Sequence, residues 1–276
     1  MTTSLILRPT GQLTETQVAM LAEMDSEGDA GFDFVPLRLK FPTGGSTGMF
    51  MLSDGDALKA PIEMIVVAAQ RARAYWPSKK TLGKPPLCSA PDGVTARFDS
   101  ASEQVKVALT AEVRHPALSI VDPEAAKGPW QCAGCPLADW ESVGGGGRGQ
   151  ACKAMRKLLV VVKGWSMPAI LTLPPTSIKA WDTFVSAHRQ KGKAYFGTWL
   201  TVGLESSTNS DGTPYAVVSV KASDALTDPE AAEVMTLRAQ FVDLVRSMDL
   251  SADDYNTDDA PAASAPSQAD EDMPPF

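Results

Sequence analysis

The sequence has no apolar run near the roughly 18 residues that a membrane-spanning helix needs, so no transmembrane segment is expected. Met1–Thr10 lacks a basic stretch followed by an apolar core, so no signal peptide is expected either. Four cysteines in 276 residues are too few for a disulfide framework, which predicts a reducing, cytoplasmic compartment. Histidine is scarcer still. With only His115 and His188 present, the latter on a helix face expected to be buried, no Ser-His-Asp arrangement can be argued. Gly144–Gly147 is not followed by Lys-Ser or Lys-Thr, and no G-x-G-x-x-G loop occurs, so nucleotide cradles are missing. Carboxylates for two-metal chemistry are not clustered before residue 251. These absences argue for binding, not catalysis.

What is there is unevenly charged. The net charge of −8 arises largely in residues 251–276, which carry seven acids and no base, leaving 25 basic and 26 acidic residues elsewhere. Met64–Pro91 holds five basic residues and no acid, and Ser142–Trp181 holds six and again no acid. A near-neutral body with basic stretches and an acidic tail is the asymmetry of a polyanion binder, which the pI of 4.9 conceals.

Segment 251–276 is rich in Asp, Ala, Pro and Ser and lacks the apolar content that would offset the entropy of ordering, so it is read as a disordered tail. Before it, Asp228-Pro229 opens an amphipathic helix over 229–248, with Val234, Leu237, Phe241, Leu244, Val245 and Met248 at helical spacing. A second helix is expected over 177–191, stopped by Gly192, and a third near 15–24 behind Thr14-x-x-Gln17. Val35, Leu37, Leu39 and Phe41 alternate with polar residues as in a strand. Further strands are expected at 48–53, 62–69, 157–163, 169–173, 198–206 and 215–222, the last two joined through Asn209–Gly212. The pattern predicts a mainly β protein with helices (α+β), built on a small, highly curved sheet or barrel. Residues 82–156, with all four cysteines and few convincing strands beyond 103–110, read as an insertion. The expected organisation is an N-terminal helical segment 1–33, a β domain 34–225 carrying the insertion, a helix in 226–250 and the tail.

Cys132-Ala-Gly-Cys135 has the C-x-x-C spacing that lets two thiolates reach one tetrahedral ion from a tight turn. Cys152 follows after a Gly-rich segment, and Cys88 precedes in a Pro-rich one. Four thiolates with no catalytic group beside them fit a closed structural zinc site, which would supply folding energy to a polar segment. An iron–sulfur cluster, a redox C-x-x-C and unliganded thiols remain open, as does His115 as a substitute ligand.

Arg71-Ala-Arg73-Ala-Tyr75-Trp76 sets two guanidinium groups beside two aromatics, with Lys79, Lys80 and Lys84 following. Trp130 and Trp140 bracket the knuckle, and Arg148, Lys153, Arg156 and Lys157 follow it. Cations that track phosphates and rings that stack on unpaired bases are what single-stranded nucleic acid requires. The opposing reading puts Tyr75 and Trp76 in the core.

The ending Asp270-Glu271-Asp272-Met273-Pro274-Pro275-Phe276 resembles the acidic, Pro-Phe-ending tip of bacterial single-stranded DNA-binding proteins, with one extra proline. The body resembles phage-encoded proteins in Cys132-Ala-Gly-Cys135-Pro136, Trp140, Gly144–Gly147 and Gly149-Gln150-Ala151-Cys152-Lys153 before Arg156–Val162. It also resembles them in Arg73-Ala74-Tyr75-Trp76, Cys88-Ser89 with Asp92-Gly93, and Leu173-Pro174-Pro175-Thr176-Ser177. This resemblance spans about 35–225 and implies an OB-fold protein with a zinc-stabilised insertion that coats single-stranded DNA in phage replication or recombination, in the host cytoplasm.

The expected sites follow. Cys88, Cys132, Cys135 and Cys152 hold zinc. Arg38, Lys40, Arg71, Arg73, Lys79, Lys80, Arg148, Lys153, Arg156 and Lys157 meet phosphates, and Tyr75, Trp76 and Trp140 stack bases. The tail tip, Asp270 to Phe276, recruits replication or recombination proteins. No membrane partner is expected, and self-association is left open. The competing classes are an adaptor acting through its tail and an accessory subunit of a nucleic-acid enzyme.

Overall fold

The computed structural model describes residues 35–42, 46–77, 84–109, 115–119, 129–143, 149–165, 167–209 and 212–251, together with Thr16, Ala19, Met20, Glu23 and Asp254. The strands are β1 (Arg38–Lys40), β2 (Met49–Leu52), β3 (Ala57–Lys59), β4 (Ile62–Tyr75), β5 (Cys88–Ala90) and β6 (Thr95–Phe98), then β7 (Trp130–Gln131), β8 (Cys152–Val162), β9 (Ala169–Leu173), β10 (Thr198–Thr208) and β11 (Pro214–Ala225). The helices are α1 (Gln104–Leu109), α2 (Pro175–Gln190) and α3 (Asp228–Ser247). Thr16, Ala19, Met20 and Glu23 are helical, as the reading of 15–24 expects.

The protein is mainly β with a few helices, and its strands join into one branched sheet that does not close. The order is β3-β2-β1-β9-β8-β4-β5-β6-β7, with β10 and β11 branching from β4. The closed barrel that the sequence allowed is therefore not formed. Strands β4 and β8 are its spine, antiparallel from Met64 opposite Val162 to Tyr75 opposite Cys152, with a bulge between Val66 and Ala68. The bulge lets one long strand serve two partners on its other edge: Ile62–Met64 pair with β10, and Arg73–Tyr75 pair with β5.

Both faces of the spine are covered along Met64–Ala69 of β4 and Leu158–Val162 of β8, and these parts are continuous apolar runs. On one face Met64, Val66, Leu158, Val160 and Val162 pack with Trp181 of α2 and the β10–β11 hairpin. On the other, Val67, Leu159, Val161 and Ile170 meet Leu237 and Val245 of α3. Helix α3 opens one residue earlier than expected: Glu230 accepts hydrogen bonds from the Thr227 amide and hydroxyl, both at 2.8 Å. Helix α2 stops at Gly192, whose φ of +69° suits glycine.

Three expectations are corrected. Residues 103–110, read as a strand, contain helix α1, because Gln104 and Ala108 are buried one turn apart while Val107 and Leu109 face outward. The stretch read as an insertion to residue 156 ends sooner, since Cys152–Arg156 already belong to β8. The tail expected from residue 251 is corrected at Asp254 alone. Leu250 is buried with Trp76 and Met155, and Asp254 is buried against β1 and β9. Residues 255–276, including the tip, lie outside the described residues.

Candidate metal centre and nucleic-acid interface

The register of the spine assembles the cysteines. Tyr75 lies opposite Cys88 on β5 and opposite Cys152 on β8, and cross-strand neighbours project to one face. Cys132 and Cys135 enter from the loop after β7, held by the Cys135 amide donating to the Cys132 carbonyl at 3.3 Å. Gly134 supplies the φ of +74° that this tight turn needs. All four thiols line one cavity of about 20 Å³, room for a single ion. Among the described residues, however, no three His, Cys, Asp or Glu side chains are grouped tightly enough to hold a metal as they stand.

The electrostatics of the cavity are those of a dry pocket. Burial pushes the Cys88 and Cys132 thiols up, and Cys152 up to about 12. A cation at its centre would reverse that cost, so four soft donors around an ion-sized space fit zinc in chemistry. His115, far away in sequence, also lines the cavity. Its ring stacks on Phe98 at 4.7 Å and meets Trp130 edge-on at 5.4 Å, and burial lowers its pKa to about 4. A neutral imidazole there is one wall of an aromatic box.

The expected phosphate and base contacts divide sharply. Arg71 is exposed, opposite Arg156 across the spine, and Lys40 and Lys153 are half-buried. Arg156 gives one guanidinium edge to Asp182 of α2, Nη2 donating to Oδ2 at 2.8 Å and Nε to Oδ1 at 3.3 Å. Arg38 pairs with Asp254. Lys157 is fully buried, and its amine donates to the Val245 and Met248 carbonyls at 2.8 and 2.6 Å, satisfying the end of α3. Burial lowers its pKa to about 8. It meets a helix terminus where a phosphate contact was expected. Arg73 lines the cysteine cavity. Lys79, Lys80 and Arg148 lie outside the described residues.

Of the three aromatics, Tyr75 and Trp76 are 3% and 7% exposed and belong to two different cores, which replaces their expected role in stacking. Adjacent residues on a strand point to opposite faces, and here both faces are covered. Trp140 is 69% exposed. It stands at the rim of an open groove of about 730 Å³ that Gln150, Ala154 and the outer side of α2 complete, including Lys179 and Gln190. Sequence reasoning missed this groove and the cations beyond it, Arg189, Lys191 and Lys193, all exposed at the end of α2. The run Arg189-Gln190-Lys191-Gly192-Lys193 was the available signal.

Comparison with known proteins assigns no relative: no family model matches the chain, and neither a curated protein nor a solved structure does.

Proposed function

We propose that this chain is a non-catalytic, sequence-independent single-stranded DNA-binding protein of phage replication or recombination. In this reading its sheet is an OB-like body and its four cysteines hold a structural zinc ion. One observation carries the proposal: a highly exposed tryptophan at the rim of an open groove, with Lys179 in the groove wall and exposed cations beyond its end. A flat ring in solvent offers a π-face to any unpaired base, worth about 1–3 kcal/mol per stack without regard to base identity. Lysines and arginines along the strand release counterions from the phosphates, which makes binding fall steeply with salt. Duplex DNA keeps its base faces covered, so the stacking component is specific for single strands.

The zinc proposal rests on the donor set. Cys88 and Cys152 come from strands that flank Tyr75, and Cys132 and Cys135 come from the loop after β7. An ion there would tie that loop to the spine and fix Trp140, only five residues beyond Cys135. The acidic tail is proposed to recruit partner proteins through Phe276.

The test is a titration of a fluorescent oligo-dT and a matched duplex with the full chain at two salt concentrations. Salt-sensitive binding to the single strand, with weaker duplex binding, is expected. No binding to either by a folded, metal-loaded sample would leave the adaptor reading in its place.

A further inference from the structure

The guanidinium of Arg73 is out of place for a phosphate contact. It sits on β4 two residues before Tyr75, so it projects to the same face as Cys88 and Cys152. The residues opposite it on both neighbouring strands are alanines, Ala90 and Ala154, which leave room for a long side chain to lie across the sheet. It lines the same small cavity as the four cysteines, and its positive charge works against the burial that pushes the Cys132 and Cys152 thiols up. Its Nη1 is buried and has no hydrogen-bond partner among the described residues. A buried guanidinium nitrogen without an acceptor is costly, and an anion in the cavity would remove that cost. The Oδ1 of Asp92, in the turn after β5, is occupied by the Val94 and Thr95 amides at 2.8 Å each.

Four thiolates around a divalent cation leave a net charge of about −2 in an apolar pocket. On the reading that the cysteines bind zinc, that charge needs a counter-ion. We propose that Arg73 is the built-in counter-charge of the cysteine centre, halving the net charge of the site. Its fork-shaped donor set suits it to this task in a way that a lysine ammonium does not match. Outer-shell partners of metal ligands are commonly worth 10–100-fold in metal affinity.

The test is metal binding by the full-length protein, read by the thiolate-to-metal absorption of Co(II) and by competition of Zn(II) against a chromophoric chelator. R73M is expected to weaken both metals about 10–100-fold, with R73K intermediate. R97M, which removes an exposed cation from β6, should leave metal affinity unchanged. Should R73M fail to fold, R73K and R73Q carry the comparison. Wild-type metal affinity in the Arg73 variants would overturn the proposal, as would an unchanged metal affinity with a loss of about one unit of salt slope in DNA binding. Absence of any Co(II)–thiolate spectrum in the wild type overturns the zinc reading itself, a separate result that takes the counter-charge with it.

Discussion

The Thr172 hydroxyl on β9 donates a 2.6 Å hydrogen bond to Asp254, six residues beyond Met248 and inside what composition marks as tail. The same carboxylate pairs with Arg38 on β1 and accepts the Ser251 amide at 2.7 Å. The first turn after α3 is thus a clasp across the parallel β1–β9 pair. Asp254→Asn should lower stability by about 3 kcal/mol, because it leaves a largely buried arginine without its counter-charge. Chemical denaturation checks this. A chain ending after Asp254 should be as stable as the full protein, and one ending after Leu250 should match the Asn variant or fall below it.

Lys157 gives a pH prediction with a definite sign. Burial lowers its pKa from 10.5 to about 8, so below pH 8 the amine is charged in both states and the folded state bears the full desolvation cost. Between pH 8 and 10.5 the unfolded state holds the extra proton, so this contribution to stability rises with pH and levels off above 10.5. The stability of wild type relative to Lys157→Met should therefore climb by up to about 3 kcal/mol across that window. A flat difference would show that the lysine keeps an ordinary pKa in the fold.

Gly93 has a φ of +74°, and a Cβ there would lie 2.9 Å from the Cβ of Arg71. Gly93→Ala should cost about 1–3 kcal/mol through backbone strain and shift the Arg71 side chain. Loss of single-strand affinity in this variant beyond the loss of stability would tie Arg71 to the interface.

The surface assignment separates two groups of residues. Trp140→Ala should weaken single-strand binding by about 1–3 kcal/mol, and Arg71→Gln should reduce the salt slope by about one. Tyr75→Phe and Trp76→Phe should leave binding within twofold and act through stability, since both rings are buried. Isotherms at three salt concentrations, with melting curves of the same samples, check all four.

Chelation should act locally. With the zinc site formed, prolonged treatment with a strong chelator should raise hydrogen exchange around Cys132–Cys135 and Cys88–Ala90 while β9 stays protected. Uniform exchange before and after would remove any structural role for metal.

Much of this architecture was legible from residue patterns. Strand β9 has the bounds that its apolar run predicts, and all five of its residues are buried. Helix α3 was visible in the spacing of Val234, Leu237 and Val245, which the structure buries. The misread residues fail for identifiable reasons. Val105-Lys106-Val107 alternates like a strand, and only the burial of Gln104 and Ala108 shows the helix. Lys157 looks like one more cation of a basic stretch, because its acceptors lie 88 and 91 residues further along the chain. Tyr75 and Trp76 sit where local sequence gives no sign that both sheet faces are covered. The cysteines were picked out by type and spacing, but that Tyr75 sits between two of them depends on strand register.

The most direct test of the central claim is photocrosslinking of an iododeoxyuridine-substituted single strand to the metal-loaded protein, with the adduct mapped by mass spectrometry. The account predicts an adduct on Trp140, lost in Trp140→Ala and suppressed by high salt. Efficient crosslinking confined to peptides away from Trp140 and the outer side of α2 would contradict it.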